Sequence, residues 1–262
     1  MINHNFKKKF GQNFISDKNL LSAICNDAEI NGDTEVLEIG AGAGTLTEEI
    51  SQNAKKVVSY EIDRDLQNHL LSLNLSNVKF VFGDVMNYST KEIENDFEGE
   101  YKIIANLPYY ITTPIIFKFL NESTRLASLT IMVQKEVAER IVSKVGSKDY
   151  GVLSIMVSFF GEAEINRIVS RKMFYPQPNV DSAVVTITLQ KDKYKNIDKN
   201  KFYKFIQMAF SMRRKTLRNN LAHGGVNAEK MALLDDQILA SRSETLSISQ
   251  LLDIYLKIID SF

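Results

Sequence analysis

Along the chain, short apolar runs rich in β-branched residues alternate with stretches whose apolar positions fall three and four residues apart. Thr34 to Ile39, Val57 to Tyr60, Val78 to Phe82, Ile103 with Ile104, and Leu129 to Val133 read as strands. Thr45 to Gln52, Arg64 to Leu71, Pro114 to Leu120 and Lys135 to Ser143 read as helices between or after them. This alternation predicts an α/β fold built of crossover units on a mostly parallel sheet. Pro114 suits a first helical turn, where its missing N–H is no loss. Ahead of the first strand, residues 1 to 15 are polar, basic and aromatic by turns and read as an arm. Ser16 or Asp17 can cap the helix that follows, which carries Leu20, Leu21, Ile24 and Cys25 and ends near Asn31-Gly32.

Later in the chain the pattern changes. Val152 to Phe160 is continuously apolar enough for a buried helix, and Ala163 to Val169 and Val180 to Leu189 read as late strands. In the second of these, Val185, Ile187 and Leu189 alternate with Thr186 and Thr188. Lys191 to Asn200 has no apolar face and is the best linker candidate. Beyond it only helices are predicted: Phe202 to Met212, Thr216 to Ala222, Ala228 to Leu234 and Ile248 to Ile259. The expected organisation is an arm and α/β domain over residues 1–190 and a small all-helical domain over residues 191–262.

Composition narrows the class. With 262 residues, 44% hydrophobic and 24% charged, the chain can bury a sizeable core and is not disordered by composition. Its 32 basic and 32 acidic side chains cancel, so a surface for a polyanion must come from local segregation of charge. Two clusters provide it: Lys7, Lys8 and Lys9 in the arm, and Arg213, Arg214, Lys215 and Arg218 in the helical part. These arginines also fit a solvated face, or pairing with acids between the domains. One cysteine, Cys25, allows neither an internal disulfide nor a cysteine-based metal site, and no metal is expected. No apolar run is long enough to span a bilayer and no targeting segment is visible, so the cytoplasm is the expected compartment. No long apolar seam is left over, which favours a monomer.

Candidate chemistry gathers at predicted strand ends. Glu38-Ile39-Gly40-Ala41-Gly42-Ala43-Gly44 is a glycine-rich turn between strand and helix, where a ligand can touch the backbone. Glu61 ends the next strand, 21 residues beyond Gly40, and can accept from both ribose hydroxyls of an adenosine cofactor. These two features leave a dinucleotide and S-adenosylmethionine in competition. Asp84 closes the third strand, where a carboxylate can accept from an adenine amine, with Val85 beside the base. Asn106-Leu107-Pro108-Tyr109-Tyr110 closes the fourth and supplies an amide acceptor, a backbone carbonyl and an aromatic ring. Such a set suits a planar exocyclic amine. Hydrogen bonds to Asn106 and a carbonyl favour a pyramidal nitrogen with an available lone pair, while Tyr109 stacks on the ring. The same stretch also fits a Pro-closed strand end with two core aromatics. A nicotinamide enzyme would need a partner for hydride chemistry, and none of His4, His69 and His223 lies in a motif, so each is expected at the surface.

The Asn106-Leu107-Pro108-Tyr109 motif resembles that of methyltransferases acting on exocyclic base amines. Phe10-Gly11-Gln12-Asn13-Phe14, the run Phe174 to Val184 and the run Ala209 to Leu221 extend the likeness to the ribosomal RNA adenine N6-dimethyltransferase family. Within it, the small-subunit rRNA dimethyladenosine transferases are most similar. The resemblance implies a Rossmann-like S-adenosylmethionine-dependent methyltransferase sheet with helices on both faces, and dimethylation of two adjacent adenosines in a hairpin loop near the 3′ end of small-subunit rRNA. The RNA would be met within the small ribosomal subunit or its precursor, the helical domain contributing to binding. It also implies that Asn13 and the Ile15 backbone close the cofactor pocket, with Gly40 beneath the methionine part, Glu61 on the ribose and Asp84 on the adenine. Asn106 would face cofactor and substrate, and Phe174 would form a second aromatic wall opposite Tyr109. Tyr110 is expected to pack inward. Ala43 and Ile15 depart from the family's usual bulkier residue and Leu. Three other readings compete: a large-subunit rRNA methyltransferase conferring antibiotic resistance, a non-catalytic assembly or transcription factor on the same fold, and a nicotinamide oxidoreductase.

Overall fold

Complete burial selects the strands. In a computed structural model of the chain, which describes residues 13–190 and 193–258, every residue of β2 (Glu35–Ile39) is buried, and β3 (Lys56–Glu61) is buried after its first residue. Both faces of these strands therefore lie against other layers, which is why their sequences are runs rather than alternations. β1 (Phe14–Ile15) precedes α1 (Lys18–Asp27), whose N-cap is Asp17, accepting from the Leu20 N–H at 2.9 Å. α2 (Thr45–Asn53) follows β2, and α3 (Gln67–Ser72) follows β3 through a 3-10 turn over Arg64–Leu66 that Asp63 caps. β4 (Val78–Phe82), α4 (Thr90–Glu94), β5 (Tyr101–Asn106), α5 (Thr112–Glu122) and β6 (Leu126–Gln134) continue the alternation. Pro114 falls in the first turn of α5, as its missing N–H requires.

Next come α6 (Lys135–Ile141), α7 (Val152–Phe160), β7 (Gly161–Val169), β8 (Phe174–Tyr175) and β9 (Ser182–Leu189). The main sheet has seven strands in the order β4-β3-β2-β5-β6-β9-β7. β2 pairs in parallel with β3 and with β5, β3 with β4, and β5 with β6, while β9 runs antiparallel to β6. Chain order reverses between β2 and β5: β2, β3 and β4 step one way and β5 and β6 the other. Right-handed crossovers then send the two sets of helices to opposite faces, and a crevice opens at the strand carboxyl ends between β2 and β5. A second sheet is a two-stranded antiparallel ribbon of β1 and β8, with Phe14 opposite Tyr175 and Ile15 opposite Phe174.

The remaining elements are helical: α8 (Lys199–Ala209), α9 (Leu217–His223), α10 (Ala228–Met231), α11 (Asp236–Ala240) and α12 (Ile248–Ile258). The chain divides into two compact units, residues 1–138 with 163–189, and residues 139–162 with 190–262. The segment 139–162, placed with the α/β domain by the sequence pattern, thus belongs by its contacts to the helical unit. The cause is aromatic packing: Phe159 of α7 lies 4.9 Å from Phe202 and 5.2 Å from Tyr194, ring centre to ring centre, and Phe202 meets Tyr255. α4 and α11, five residues each, were not predicted, being too short to show a period. No helix among the described residues is long and apolar enough to cross a membrane.

Candidate active site

Backbone hydrogen bonds bring the strand ends side by side. The Gly40 N–H donates to the Tyr60 carbonyl at 2.8 Å, the Gly83 N–H to the Glu61 carbonyl at 2.8 Å, and the Leu107 N–H to the Met132 carbonyl at 3.2 Å. Gly40, Gly42 and Gly44 have φ of 86°, 56° and 81°, a left-handed region in which an L side chain is strained. Gly42 has a second requirement. A Cβ there would lie 2.8 Å from a ring carbon of Phe14, so the close approach of arm and turn depends on its absence.

A cavity lies at the crevice. Its walls include Asn13, Phe14 and Ile15 from the arm, Gly40 and Gly42, Glu61, and Asn106 through Tyr109. Glu61 is 4% exposed. Its Oε2 accepts from the Gly42 N–H and its Oε1 from the Asp63 N–H, both at 2.7 Å. Burial raises its pKa against the opposing pull of these two donors. Each carboxylate oxygen accepts more than one hydrogen bond, so the pair of backbone donors orients Glu61 and leaves acceptor capacity at the cavity wall. On β2, the fully buried Glu38 carboxylate accepts from Thr47 Oγ1 at 2.6 Å and Ser59 Oγ at 2.5 Å, joining α2 and β3 to the strand that carries the turn.

Asn106 ends β5 and donates through Nδ2 to the Asn13 carbonyl at 2.9 Å. That bond fixes the amide plane and leaves Oδ1 as an acceptor for a ligand in the cavity it lines. Thr45 Oγ1 donates to the Ile15 carbonyl at 2.8 Å, tying the arm to the first residue of α2. Tyr109 is half-buried and its hydroxyl is 3.0 Å from Ser182 Oγ, at the start of β9. Burial raises its pKa. Neither Ser182 nor Phe14 was singled out as a site residue in the sequence, although both fall in runs that carry the family likeness, Phe10 to Phe14 and Phe174 to Val184. His69 was expected at the surface, yet it is half-buried with Nε2 3.0 Å from the Ala43 carbonyl of the glycine turn.

Several expectations are placed elsewhere. Asp84 does not line the cavity: its Oδ1 caps a 3-10 turn over Val85–Asn87 by accepting from the Met86 N–H at 2.9 Å. It remains adjacent to Glu61 through the Gly83 N–H bond given above. Phe174 is 5% exposed and sits in the hydrophobic core cluster with Ile15, Leu21 and Val184, so its ring is not a cavity wall. Tyr110 was expected to pack inward and is instead 60% exposed. Lys7, Lys8 and Lys9 lie outside the described residues. In the helical unit, Arg213, Arg214, Lys215 and Arg218 are exposed. Arg213 donates to the Lys148 carbonyl, and Arg218 pairs with Asp236 at 2.6 Å, both within that unit. Among the described residues no group of His, Cys, Asp and Glu could hold a metal.

The ribosomal RNA adenine dimethylase family matches the chain over residues 3–260. This chain belongs to that family. Curated relatives include ribosomal RNA small subunit methyltransferase A of Enterococcus faecalis, 43% identical over 94% of this chain and 88% of the relative. The protein of the same name from Listeria monocytogenes is 46% identical over 83% of this chain and 76% of its own length. Among solved structures, a dimethyladenosine transferase from Plasmodium falciparum superimposes with a TM-score of 0.79 at 24% identity, covering 94% of this chain and 98% of that one. The 23S rRNA methyltransferase ErmE gives 0.70 at 24% identity, covering 94% and 100%. These two structural likenesses establish the Rossmann-like methyltransferase fold with its appended helices.

Proposed function

We infer that this chain transfers methyl groups from S-adenosylmethionine to the N6 amine of adenosines in small-subunit rRNA, adding two to each. The observation that carries this is the Asn106 amide, held by the Asn13 carbonyl with its oxygen free in a cavity that Tyr109, Glu61 and the glycine turn also line. The donor set fits the cofactor. A buried carboxylate with remaining acceptor capacity suits the ribose hydroxyls, and the turn of three left-handed glycines lets the backbone approach the methionine part. S-adenosylmethionine supplies a methyl group on a sulfonium that departs as a neutral thioether. No acid is needed for that departure, so the work of the chain is alignment.

Asn106 Oδ1 and a nearby carbonyl accept from the adenine amine and make its lone pair available for in-line attack. Tyr109, steadied by Ser182, holds the face of the base. Asp84, off the cavity wall but next to Glu61 through the Gly83 N–H, keeps Oδ2 for the cofactor's adenine amine while Oδ1 caps its turn. Arg214 and Lys215, both exposed, meet phosphates, which position RNA without reading its sequence. The substrate is rRNA within the small subunit or its precursor, the place of action the cytoplasm, and the acting species a monomer. The large-subunit alternative has only fold likeness in its favour, since ErmE is 24% identical whereas the two small-subunit relatives above are 43% and 46% identical.

The test is transfer of labelled methyl from S-adenosylmethionine to under-methylated small subunits, with the products mapped. Asn106→Ala is expected to lower turnover by about a hundredfold, the scale of losing one preorganised hydrogen-bonding group, with cofactor affinity changed only a few fold. Wild-type turnover in that variant rejects the role of Asn106; dimethyladenosine absent from the wild-type reaction rejects the function.

A further inference from the structure

The Ala43–Gly44 peptide of the glycine turn is held at both ends, and one of the two holds comes from outside the turn. Its N–H donates to the Ala41 carbonyl at 2.9 Å. Its carbonyl lies 3.0 Å from Nε2 of His69, on α3. A carbonyl can only accept, so Nε2 carries the proton and donates. α3 also presses on the next residue of the turn: a Cβ on Gly44 would lie 2.5 Å from Leu73 and 3.1 Å from Leu70. Leu70 is fully buried, in one apolar cluster with Ala41. That packing fixes the helix against the turn and sets where the imidazole stands. Ala43 lines the cavity between two glycines in the left-handed region, Gly42 at φ 56° and Gly44 at φ 81°. Glycine on either side gives the intervening backbone room to turn over. No side chain caps the start of α2 at Gly44, so the hold on this peptide from another element is that of His69.

We propose that His69 is a positioning residue that locks the glycine turn in the form that receives the methionine part of S-adenosylmethionine. This rests on the reading above of the turn as the seat of the methionine part, and goes beyond it by naming what holds the turn. The methionine part ends in an ammonium and a carboxylate. Backbone C=O and N–H dipoles serve such groups only in fixed directions, and a peptide that turns over exchanges one for the other. Fixing the peptide before the ligand arrives removes the cost of ordering it on binding. Two consecutive elements share the task. Glu61 at the end of β3 takes the Gly42 N–H at 2.7 Å, and His69 of α3 gives to the Ala43 carbonyl. Glu61 is itself a cavity wall, whereas His69 is not, so His69 acts through Ala43.

The experiment measures, by calorimetry, the affinity of wild type, His69→Leu, His69→Phe and His69→Gln for two ligands. One is S-adenosylmethionine; the other is 5′-methylthioadenosine, which keeps the adenosine and sulfur and lacks the amino-acid chain. Leucine and phenylalanine keep bulk without a donor, and the glutamine amide N–H can stand in for that of Nε2. Both variants without a donor are expected to bind S-adenosylmethionine about three- to tenfold more weakly, the scale of one net hydrogen bond, and 5′-methylthioadenosine within about twofold of wild type. The glutamine variant is expected to stay within about twofold of wild type for both ligands. Wild-type affinity for S-adenosylmethionine in the leucine and phenylalanine variants overturns the role of His69. An equal loss for both ligands, the mark of general loosening, overturns it too, as does a glutamine variant as impaired as leucine. A wild-type chain that binds S-adenosylmethionine no tighter than 5′-methylthioadenosine instead rejects the turn as the seat of the methionine part, and this assignment with it.

Discussion

Glu38 sets up a pH dependence that can be worked out from its surroundings. It is fully buried on β2, two residues before the glycine turn. Burial pushes its carboxyl from the ordinary 4.5 up to about 7, against the hydrogen bonds from Ser59 and Thr47 that favour the ionised form; the charge of nearby Glu61 adds to the rise. Oε2 takes both hydroxyl donors, and Oε1 has no partner. A proton on Oε1 is therefore the form that this site holds most cheaply. Because the folded-state pKa lies above the unfolded one, the stability Glu38 contributes is fully present below about pH 4.5. It is lost as pH rises and is gone above about 7. At 1.36 kcal/mol for each pKa unit, the swing is about 3 kcal/mol, most of it between pH 5 and 8.5.

Glu38→Gln isolates that swing. The glutamine carbonyl can accept from Ser59 and Thr47 as Oε2 does, and the side chain never ionises. Urea unfolding of both proteins from pH 5 to 8.5 is expected to show the variant gaining on wild type by about 2–3 kcal/mol as pH rises. Comparison of the two proteins cancels the titration of groups far from Glu38. A difference in stability that stays flat within about 0.5 kcal/mol across this range, less than the scatter of a typical exposed substitution, refutes the buried-proton account.

Two further outcomes follow from the geometry. Gly42→Ala places a methyl at φ 56° and 2.8 Å from the Phe14 ring. The left-handed strain alone costs about 1–2 kcal/mol and the ring must move off the turn, so calorimetry is expected to show cofactor affinity falling about tenfold or more, and unchanged affinity rejects the clamp. Arg214→Glu with Lys215→Glu is expected to flatten the dependence of log binding constant on log salt by about 1.5, at about 0.7–0.9 per phosphate contact; an unchanged slope assigns both groups to a merely solvated face.

The central strands were legible because β2, β3, β5 and β6 are largely buried on both faces and appear as apolar runs; β4, half-buried at the sheet edge, was legible by its β-rich composition, Val78 to Phe82 with both limits correct. Gly40, Glu61 and Asn106, which line the cavity, were legible for a related reason: in a parallel sheet the crevice opens at the carboxyl ends of such runs. What stayed hidden depends on contacts between distant parts of the chain. Nothing in Val152 to Phe160 reveals that it packs on Phe202 rather than on the sheet, since a fully apolar helix reads alike in either core. Asp84 sits at the predicted strand end, but a carboxylate before a turn also caps it, and that local bond governs where Oδ1 points. Tyr109 and Tyr110 are chemically identical, and only the Ser182 hydroxyl, 73 residues away in sequence, tells which one is held.

The Phe174–Tyr175 pair shows how tertiary structure decides between neighbours. A two-residue ribbon cannot hold itself together in water, since isolated hairpins far longer are marginal. β1 and β8 persist because Ile15 and Phe174, opposite each other, are buried in the core, and because the Ile15 carbonyl and the Asn13 carbonyl are engaged by Thr45 and Asn106. Burying one aromatic of the pair is thus the condition for ordering the arm over the glycine turn. Alternation along the strand then turns the other aromatic outward on the cavity side. One register places Phe14 over the glycine turn and Ile15 with Phe174 in the core, so a one-residue slip would reverse both faces and lose the Phe14 wall of the cavity.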